Sequence, residues 1–527
     1  MSAYSTTRRC LLLLEKCKNM QDLKKSHALV LTTGLGTNTF ALSRLLAFCS
    51  DPHRGSPFHA WKIFQNIQQP TICIWNTVLK AFLLNDELIQ TINIYKEMLH
   101  SSNIAPDNYT LPYVLKACSR LQSACLGVSV HGHGLKSGLA FDLFVGNSLI
   151  VMYSEFRNME AARQVFDEMP SLSTVSWMVM ISGYGKVGEV DKERLFFDLA
   201  PVRDRGIWGA MISGYVQNAC FKEGLYLFRL MQCAEIEPDE AIFVSVLCGC
   251  AHLGALDVGV WIHRYLDRLG LPLSVRLGTG LVDMYAKCGN LDLARMVFEK
   301  MPQKDTVCWN AMISAMAMHG DGDTAFELFE EMEEAGVRPD DITFIAILTA
   351  CSYSGRAYEG MRMLDRMCRV YQIEPKSEHY GCIVDLLSRA GLFEEASKMI
   401  QRLATSSNRS EEEMAWRAFL SACCKHGQSQ LAEFAPENLS QSEHESGFYV
   451  LLSNLYASAG KGCDAGKVRN LMKNRGIEKV PGCSSVQIDV TVHEFIAGEK
   501  IHPQMKEIHL VLEKINKHLY YPECKPY

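Results

Sequence analysis

Hydrogen-bonding side chains recur in this chain at one place in a repeated frame. Asparagine follows tryptophan at Trp75-Asn76 and Trp309-Asn310, and glycine takes its place after Trp208. An asparagine amide offers both a donor and an acceptor, whereas a carboxylate only accepts. Each frame is followed, about thirty residues later, by Pro-Asp: Pro106-Asp107, Pro238-Asp239 and Pro339-Asp340. A period in the thirties indicates a stack of small similar units rather than a globular enzyme domain.

Residues that commonly bind metals or act as nucleophiles show no comparable catalytic pattern. The twenty cysteines include no Cys-x-x-Cys spacing. Several follow an apolar stretch at the same offset: Cys118, Cys250, Cys351 and Cys423. We expect these to be reduced packing residues between helices, not disulfide partners or metal ligands. No phosphate-binding glycine loop, nucleophile triad or metal cluster stands out, so we predict no catalytic residue, no metal and no cofactor.

Composition excludes some classes of protein and leaves others open. The chain has 527 residues, 48% of them hydrophobic, and a formal net charge of −6. No run of 18 or more apolar residues is present, so no membrane span is expected. The acidic balance counts against a general phosphate-clamping protein, although a repeat array can still concentrate Lys and Arg on one face. Residues 1–5 belong to a hydroxyl-rich start that fits either an organelle-targeting segment or an ordinary polar terminus.

Residues 306–340 illustrate the predicted unit. Apolar residues between 312 and 317 form one helical stripe, and those between 325 and 332 form a second. Gly320 separates the two stripes, Gly336 ends the second helix, and Pro339 prevents its continuation. Such a hairpin cannot bury both apolar faces alone, so its neighbours must stack on it.

Three types of unit alternate along the chain. The long type with Trp and Pro-Asp covers 72–107, 205–239 and 306–340; a second type covers 108–142, 240–274 and 341–376; a short type of 31 residues covers 143–173, 174–204 and 275–305. Two short units end in Met169-Pro170 and Met301-Pro302, and the third has Ala200-Pro201 there. Degenerate units fill 6–38, 39–71 and 377–408. We predict an all-α solenoid of about twelve hairpins over 6–408, wound as a right-handed superhelix with the first helices on its concave side.

These unit types resemble a known family. The segments that carry the resemblance are Val282-Asp-Met-Tyr285-Ala-Lys-Cys-Gly289, Ala294-Arg-x-Val-Phe298-x-x-Met301-Pro302 and Trp309-Asn310-Ala-Met-Ile313. They are similar to pentatricopeptide repeat (PPR) proteins of the plant PLS subclass, and the resemblance covers almost the whole chain. Tetratricopeptide repeats, the nearest alternative, have a 34-residue period that does not fit the alternation of unit lengths.

The C-terminal tail resembles the E and E+ extensions of the same family, at 409–482 and 483–527. Residues 485–496 alternate as in a strand and are predicted to form a small hairpin. Some members carry a further DYW domain similar to zinc cytidine deaminases, which need three metal ligands and a glutamate. His493, Glu494 and His502 do not have that spacing, so we interpret them as structural. The chain stops near where a DYW domain would begin, and we expect it to be non-catalytic.

The resemblance implies that the fifth and last residues of each unit read one RNA base. The implied pairs are Asn76 with Asp107, Asn147 with Ser173, Met178 with Asp204, Gly209 with Asp239, Thr279 with Asp305, and Asn310 with Asp340. Gly209 departs from the family's usual Asn or Thr. Pro112, Val244 and Ile345, at the fifth place of the second type, cannot hydrogen-bond a base through their side chains. A structural alternative is that the asparagines cap or cross-link helices and that Pro-Asp is a turn.

Family resemblance further implies a target. Asn/Asp and Met/Asp favour uracil, Asn/Ser favours cytosine and Thr/Asp favours guanine, which gives U-x-C-U-x-x-G-U from 5′ to 3′. Apolar residues that flank each fifth position would sandwich the base.

The leading hypothesis is a sequence-specific factor that binds single-stranded RNA in a plant organelle. It would select cytidines for C-to-U editing and recruit a deaminase-bearing DYW-type PPR protein, or other editing factors, through residues 409–527. One alternative is an RNA-binding protein for splicing, processing or transcript stability. Another is a protein scaffold. The mitochondrion is the expected compartment, with the chloroplast as the alternative.

Overall fold

The computed structural model describes residues 17–35, 38–100, 104–270, 273–406, 409–426, 446–477, 482–488, 491–496 and 504–519. Helices make up nearly all of this part of the chain, and one pair of short strands accompanies them. The all-α prediction is therefore confirmed. Over the described residues, no helix has the length and apolarity needed to cross a membrane.

The helices follow one another with short connections. In chain order they are α1 (Met20–Thr32), α2 (Thr39–Cys49), α3 (Pro57–Gln65), α4 (Ile72–Leu84), α5 (Leu88–His100), α6 (Thr110–Arg120), α7 (Ala124–Lys136), α8 (Leu143–Glu155), α9 (Met159–Glu168), α10 (Thr174–Val187), α11 (Val190–Leu199), α12 (Arg205–Gln217), α13 (Phe221–Cys233), α14 (Glu240–Leu253), α15 (Leu256–Leu269), α16 (Val275–Lys287), α17 (Leu291–Lys300), α18 (Thr306–Met318), α19 (Gly322–Glu334), α20 (Asp341–Ser354), α21 (Ala357–Arg369), α22 (Ser377–Arg389), α23 (Phe393–Ser406), α24 (Arg409–His426), α25 (Ser446–Ser458), α26 (Gly462–Asn474) and α27 (Met505–Leu519).

The chain divides into two compact units, 1–242 and 243–527, each built from stacked helical hairpins. In the first unit, the first helix of one hairpin packs on that of the next through α8, α10 and α12. In the second, the same contact runs through α16, α18, α20, α22 and α24. Rows of first helices are therefore the continuous element within each unit, and each second helix packs beside its own partner.

Local capping explains where the first helices begin. The last residue of a repeat is the N-cap of the following helix: Asp305 accepts a hydrogen bond from the backbone N–H of Cys308 at 2.9 Å. Asp204 does the same for the N–H of Ile207 at 3.0 Å. An N-cap carboxylate satisfies one of the free N–H groups of the first turn and interacts favourably with the helix dipole. Asp340 of Pro339-Asp340 caps α20 in the same way, by accepting from the backbone N–H of Thr343 at 2.9 Å.

Tryptophan at the fourth place of a unit locks consecutive hairpins together. The ring of Trp309 lies edge-on to Phe298 of the preceding second helix, with centroids 4.9 Å apart. The same contact joins Trp208 to Phe197 at 5.0 Å. Edge-on aromatic pairs stabilise the folded chain beyond the contribution from burying the two rings. The tryptophan thereby holds the neighbouring fifth residue in a constant position on its helix.

Glycine takes the fourth place in two of the short units, where methionine from Met-Pro fills the space. A methyl group on Gly146 would lie 2.8 Å from the sulfur of Met169. The third short unit has Trp177 at the fourth place, and its Met-Pro is replaced by Ala200-Pro201. A glycine at the fourth place thus accompanies a methionine before the proline, and a tryptophan at the fourth place accompanies an alanine there. Close packing of the interior requires such compensation in size.

Cysteines at the repeated position are packing residues, as predicted. Cys118, Cys250, Cys351 and Cys423 are fully buried, and none of them forms a disulfide bond in the described part of the chain. Burial raises the pKa of the Cys351 thiol to about 12. A thiol with so high a pKa stays protonated at neutral pH and is a poor nucleophile or metal ligand.

The predicted strand pair near the C-terminus is confirmed. Strands β1 (Cys483–Ile488) and β2 (Thr491–Ile496) are antiparallel, with Val486 opposite His493. The described residues contain no group of three or more His, Cys, Asp or Glu arranged to hold a metal ion. His502 lies outside the described residues.

Candidate nucleic-acid interface

The two residues predicted to act together meet directly in two of the long units. The side-chain amide of Asn76 donates to both carboxylate oxygens of Asp107, at 3.0 and 3.2 Å. Asn310 donates to Asp340 at 2.9 Å. Residues about thirty positions apart are thus brought into contact because the last residue of one repeat caps the next first helix.

A third residue completes each of these two clusters and was not predicted. The hydroxyl of Thr110 donates to the amide oxygen of Asn76 at 2.7 Å. Thr343 makes the same contact with Asn310 at 2.6 Å. Both threonines are fully buried and lie three residues after the capping aspartate. An Asp-x-x-Thr capping box before an apolar run was the sequence signal that could have identified them.

Hydrogen bonding keeps the carboxyl of Asp107 ionised. Burial raises its pKa, but the hydrogen bonds from Asn76 and from the hydroxyl and backbone N–H of Thr110 outweigh burial, so the pKa lies below its usual value. The backbone N–H of Tyr109 adds a further bond at 3.0 Å. At neutral pH the carboxylate therefore acts only as an acceptor.

The other four predicted pairs are arranged differently in the described residues. The capping side chains of Ser173, Asp204, Asp239 and Asp305 accept from backbone N–H groups of the helix that follows. The amide oxygen of Asn147 is buried and has no hydrogen-bond partner within the described part of the chain. Ile242 packs over Gly209, where a side chain would approach it within 3.2 Å. Within the described part of the chain, no side-chain hydrogen bond joins these fifth residues to the last residue of their unit.

A groove runs over the first helices of the second compact unit. It has a volume of about 880 Å³ and lies over residues of α14, α16, α18 and α20. Thr279 and Asn310, the fifth residues of consecutive units, both line it. Val307 and Ile342 project beside Asn310 and are 61% and 54% exposed. The arrangement places polar groups on the floor of a groove with apolar side chains between them.

A smaller groove in the first compact unit is also lined by both polar and apolar residues. It measures about 340 Å³ and is lined by Met178, Gly209 and Asp239, among others. Arg205 and Lys186 contribute positive charge there, although the ammonium of Lys186 is paired with Glu155 at 2.5 Å. Local cations therefore reach this groove despite the acidic net charge of the chain.

Solved structures with a related arrangement of helices include two bound to RNA. The crystal structure of the pentatricopeptide repeat protein PPR10 in complex with an 18-nt psaJ RNA element has a TM-score of 0.43 and 16% identity, covering 89% of this chain and 82% of that chain. Yeast Rmd9p in complex with 16nt target RNA has a TM-score of 0.30 and 11% identity, covering 91% and 98%.

Family profiles match both the repeats and the tail. The PPR repeat profile matches residues 147–173, 175–200, 206–236, 279–306 and 378–406. The PPR repeat family profile matches 304–352, and the E motif profile matches 426–487. The matches follow the periodicity described above and include part of the region after the array.

Whole-chain relatives come from Arabidopsis thaliana. Pentatricopeptide repeat-containing protein At2g20540 is 38% identical, over 96% of this chain and 94% of the relative. The chloroplastic At1g08070 is 36% identical, over 95% and 81%. The mitochondrial At2g22410 is 33% identical, over 96% and 89%. The chain therefore belongs to the pentatricopeptide repeat family and resembles its PLS class with an E extension.

Proposed function

We propose that this protein binds single-stranded RNA sequence-specifically in a plant organelle and selects cytidines for C-to-U editing. The observation that carries the proposal is the groove in which Thr279 and Asn310, one repeat apart, lie beside exposed apolar residues. RNA bases splayed from a single strand can be read one per helical repeat by two or three side chains. Membership of the PPR family, whose members bind RNA, supports the same conclusion.

The chemistry of the site suits base edges. After its bonds to Asp340 and Thr343, the amide of Asn310 retains one N–H and one acceptor position. Val307 and Ile342 offer apolar surfaces on which a base can stack. The amide oxygen of Asn147 lacks a partner, and leaving a buried acceptor unsatisfied costs free energy that a bound base would offset.

Selection from a random RNA pool tests the binding specificity. We expect enrichment of U-x-C-U-x-x-G-U, with the first uracil opposite Asn76 and Asp107 and the last opposite Asn310 and Asp340. If no such register were enriched, the assignment of the fifth and last residues would be wrong.

The match of residues 426–487 to an E motif supports an editing role. We propose that residues 409–527 recruit a deaminase-bearing DYW-type PPR protein, or other editing factors. Relatives include proteins named as chloroplastic and as mitochondrial. We propose the mitochondrion as the compartment, with the chloroplast as the alternative.

Sequencing the RNA of both organelles from a loss-of-function line tests this role. Loss of conversion at one or a few cytidines, with the expected sequence a short distance upstream, is the predicted result. Intact editing with a changed intron or transcript end would instead favour a role in splicing or processing. Complementation with a chain ending at residue 408 separates RNA binding by the repeats from recruitment by the tail. We expect this shortened chain to bind the transcript but not to restore editing.

A further inference from the structure

We propose that Thr110 and Thr343 are positioning residues that fix the orientation of the neighbouring asparagine amide and thereby make it select uracil over cytosine. The inference rests on the proposed RNA-binding function and deepens it. It adds to the fifth and last residues a third one, carried by the first helix of the next repeat.

The aspartate determines which end of the amide faces it. A carboxylate only accepts hydrogen bonds, so the nitrogen of Asn76 must point to Asp107, at 3.0 and 3.2 Å. The same holds for Asn310 and Asp340 at 2.9 Å. The reduced pKa of Asp107 supports this arrangement because the carboxyl remains ionised.

The threonine determines the other end. The backbone N–H of Asp340 donates to the hydroxyl oxygen of Thr343 at 3.0 Å, which leaves the hydroxyl proton free to donate. That proton is shared between the amide oxygen of Asn310, at 2.6 Å, and the carboxylate of Asp340, at 2.9 Å. Rotating the amide by half a turn would place its oxygen against the carboxylate of Asp340 and its N–H groups against the hydroxyl of Thr343, which would then lose its acceptor on the amide. Only one orientation is therefore compatible with both neighbours.

Uracil and cytosine differ in the feature that this orientation controls. At positions 3 and 4 of the ring, uracil presents a donor and then an acceptor, whereas cytosine presents an acceptor and then a donor. A base held in one place between side chains such as Val307 and Ile342 therefore pairs with one orientation of a primary amide or with the other. A fixed amide discriminates between the two pyrimidines, and an amide free to rotate accepts both.

The distribution of the threonine along the chain agrees with this role. Threonine occurs three residues after the last residue only in the two Asn/Asp pairs; at the other four pairs the residues are Ser176, Ile207, Ile242 and Cys308. Asn147 lacks the arrangement. Its last residue, Ser173, has a neutral hydroxyl that contacts Ser176 at 3.2 Å, and the amide oxygen has no partner in the described residues.

The test uses the full-length chain and two synthetic RNAs that contain U-x-C-U-x-x-G-U or the same sequence with cytosine as the eighth nucleotide. The wild-type chain should prefer uracil by about tenfold, within the range expected for one well-matched base contact. Thr343→Val removes the hydroxyl at similar size and should reduce the uracil-to-cytosine ratio to about 1–3. Thr343→Ser restores the hydroxyl and should restore the ratio.

Ser176→Ala is the matched control. Ser176 completes a capping box with Ser173 and is also fully buried, so its replacement removes a comparable capping hydroxyl elsewhere. We expect this variant to keep the wild-type ratio at the eighth nucleotide. A wild-type ratio in Thr343→Val, or a reduced ratio in Thr343→Ser or Ser176→Ala, would overturn the inference.

Thr110 provides a second, independent position. If Thr343→Val does not fold, as judged by its helical circular dichroism and thermal midpoint, Thr110→Val is measured with uracil or cytosine as the first nucleotide, with the same expectation. Failure of the proposed function would appear differently, because the wild-type chain itself would then bind neither RNA selectively. That result would overturn both proposals before any variant is compared.

Discussion

The sulfur of Met301 occupies the space that a side chain on Gly278 would need: a methyl group there would lie 2.6 Å from it. Gly278 precedes Thr279, a predicted base-reading residue, on the same helix. Met169 and Gly146 repeat the arrangement beside Asn147. The methionine of the Met-Pro in a short repeat therefore packs against the glycine that immediately precedes the fifth residue.

Gly278→Ala should reduce the stability of the second compact unit by about 1 kcal/mol, because the added methyl group displaces the side chain of Met301 and this cost exceeds the gain in helix propensity. Thermal or urea denaturation followed by circular dichroism measures the change. Gly280→Ala on the same helix is the control, since its nearest neighbour would be 3.6 Å away. That variant should be neutral or more stable, as alanine has the higher helix propensity. Equal effects at both positions would show that packing on Met301 does not matter.

Local patterns made the hairpins predictable. The apolar stripes of residues 306–340, and Gly320 between them, correspond to α18 and α19, and Gly320 adopts a positive φ of 80°. The alternation at 485–496 corresponds to the strand pair. These features depend on residues close together in the chain, where helical and strand periodicities apply directly.

Contacts between repeats could not be predicted in the same way. The bond from Asn76 to Asp107 joins residues 31 positions apart, and its geometry depends on how two first helices pack. The capping role of the aspartates was not predicted, because the structural alternative assigned capping to the asparagines and a turn to Pro-Asp. At Asp107 the bonds to backbone N–H groups coexist with the contact to Asn76. The Asp-x-x-Thr pattern could have identified Thr110 and Thr343 as capping-box residues, but their contacts with Asn76 and Asn310 depend on the packing of consecutive first helices.

The burial of Glu193 could not be predicted from the sequence either. It lies on α11, fully buried against Gly185 and Gly214 of the neighbouring first helices. Neither carboxyl oxygen has a hydrogen-bond partner within the described residues. Burial raises its pKa to about 8, so the folded chain holds this carboxyl protonated at neutral pH while the unfolded chain does not.

Glu193→Gln should therefore change how stability depends on pH. Between the ordinary glutamate value of 4.5 and about 8, the folded wild-type chain binds one proton more than the unfolded chain, so its stability falls as pH rises and is then constant. Glutamine does not titrate, so the variant lacks this contribution to the pH dependence of stability. The difference in free energy of unfolding between the variant and the wild-type chain should grow over that range, in favour of the variant, to a few kcal/mol. The thermal midpoints of both proteins from pH 5 to pH 9 measure it.

Glu160→Gln is the control for this experiment, because Glu160 is exposed on the second helix of the preceding repeat. The thermal midpoint of Glu160→Gln should match that of the wild-type chain at every pH. Parallel pH profiles for Glu193→Gln and the wild-type chain would contradict the assignment of a buried, protonated carboxyl.

Repeats of the second type should tolerate any base. Pro112, Val244 and Ile345 stand at their fifth positions and offer no hydrogen-bonding side chain. Replacing the second or sixth nucleotide of the expected target should change the dissociation constant less than about twofold, whereas replacing the eighth should weaken binding by about fivefold or more. Fluorescence anisotropy with a set of single-nucleotide variants checks this. Strong selectivity at the second nucleotide would require another reading residue near Pro112.

Asp107→Ser should shift the preference at the first nucleotide from uracil toward cytosine, with Thr110 still bonded to the amide oxygen of Asn76 and retaining part of the uracil preference. Asp107 accepts from the backbone N–H groups of Tyr109 and Thr110 where α6 begins, and a serine hydroxyl can accept there too, so overall stability should change by less than about 1 kcal/mol. The carboxylate that fixes the nitrogen of Asn76 is lost, and a neutral hydroxyl that can donate or accept replaces it. Family resemblance assigns cytosine to that Asn/Ser pair. Competition between RNAs that differ only at the first nucleotide measures the switch.

Asp142→Ser is the control that separates base reading by a last-place aspartate from its bonds to the backbone of the next helix. Asp142 caps α8 by accepting from the N–H groups of Phe144 and Val145, and the fifth residue of its repeat is Pro112, which has no amide to orient. The substitution removes one carboxylate of the same kind and the same charge, so the effect on general RNA affinity should match that of Asp107→Ser. The preference at the first nucleotide should stay with uracil. If both variants shifted it equally, the change would follow from charge alone, and the contact between Asn76 and Asp107 would not determine the base.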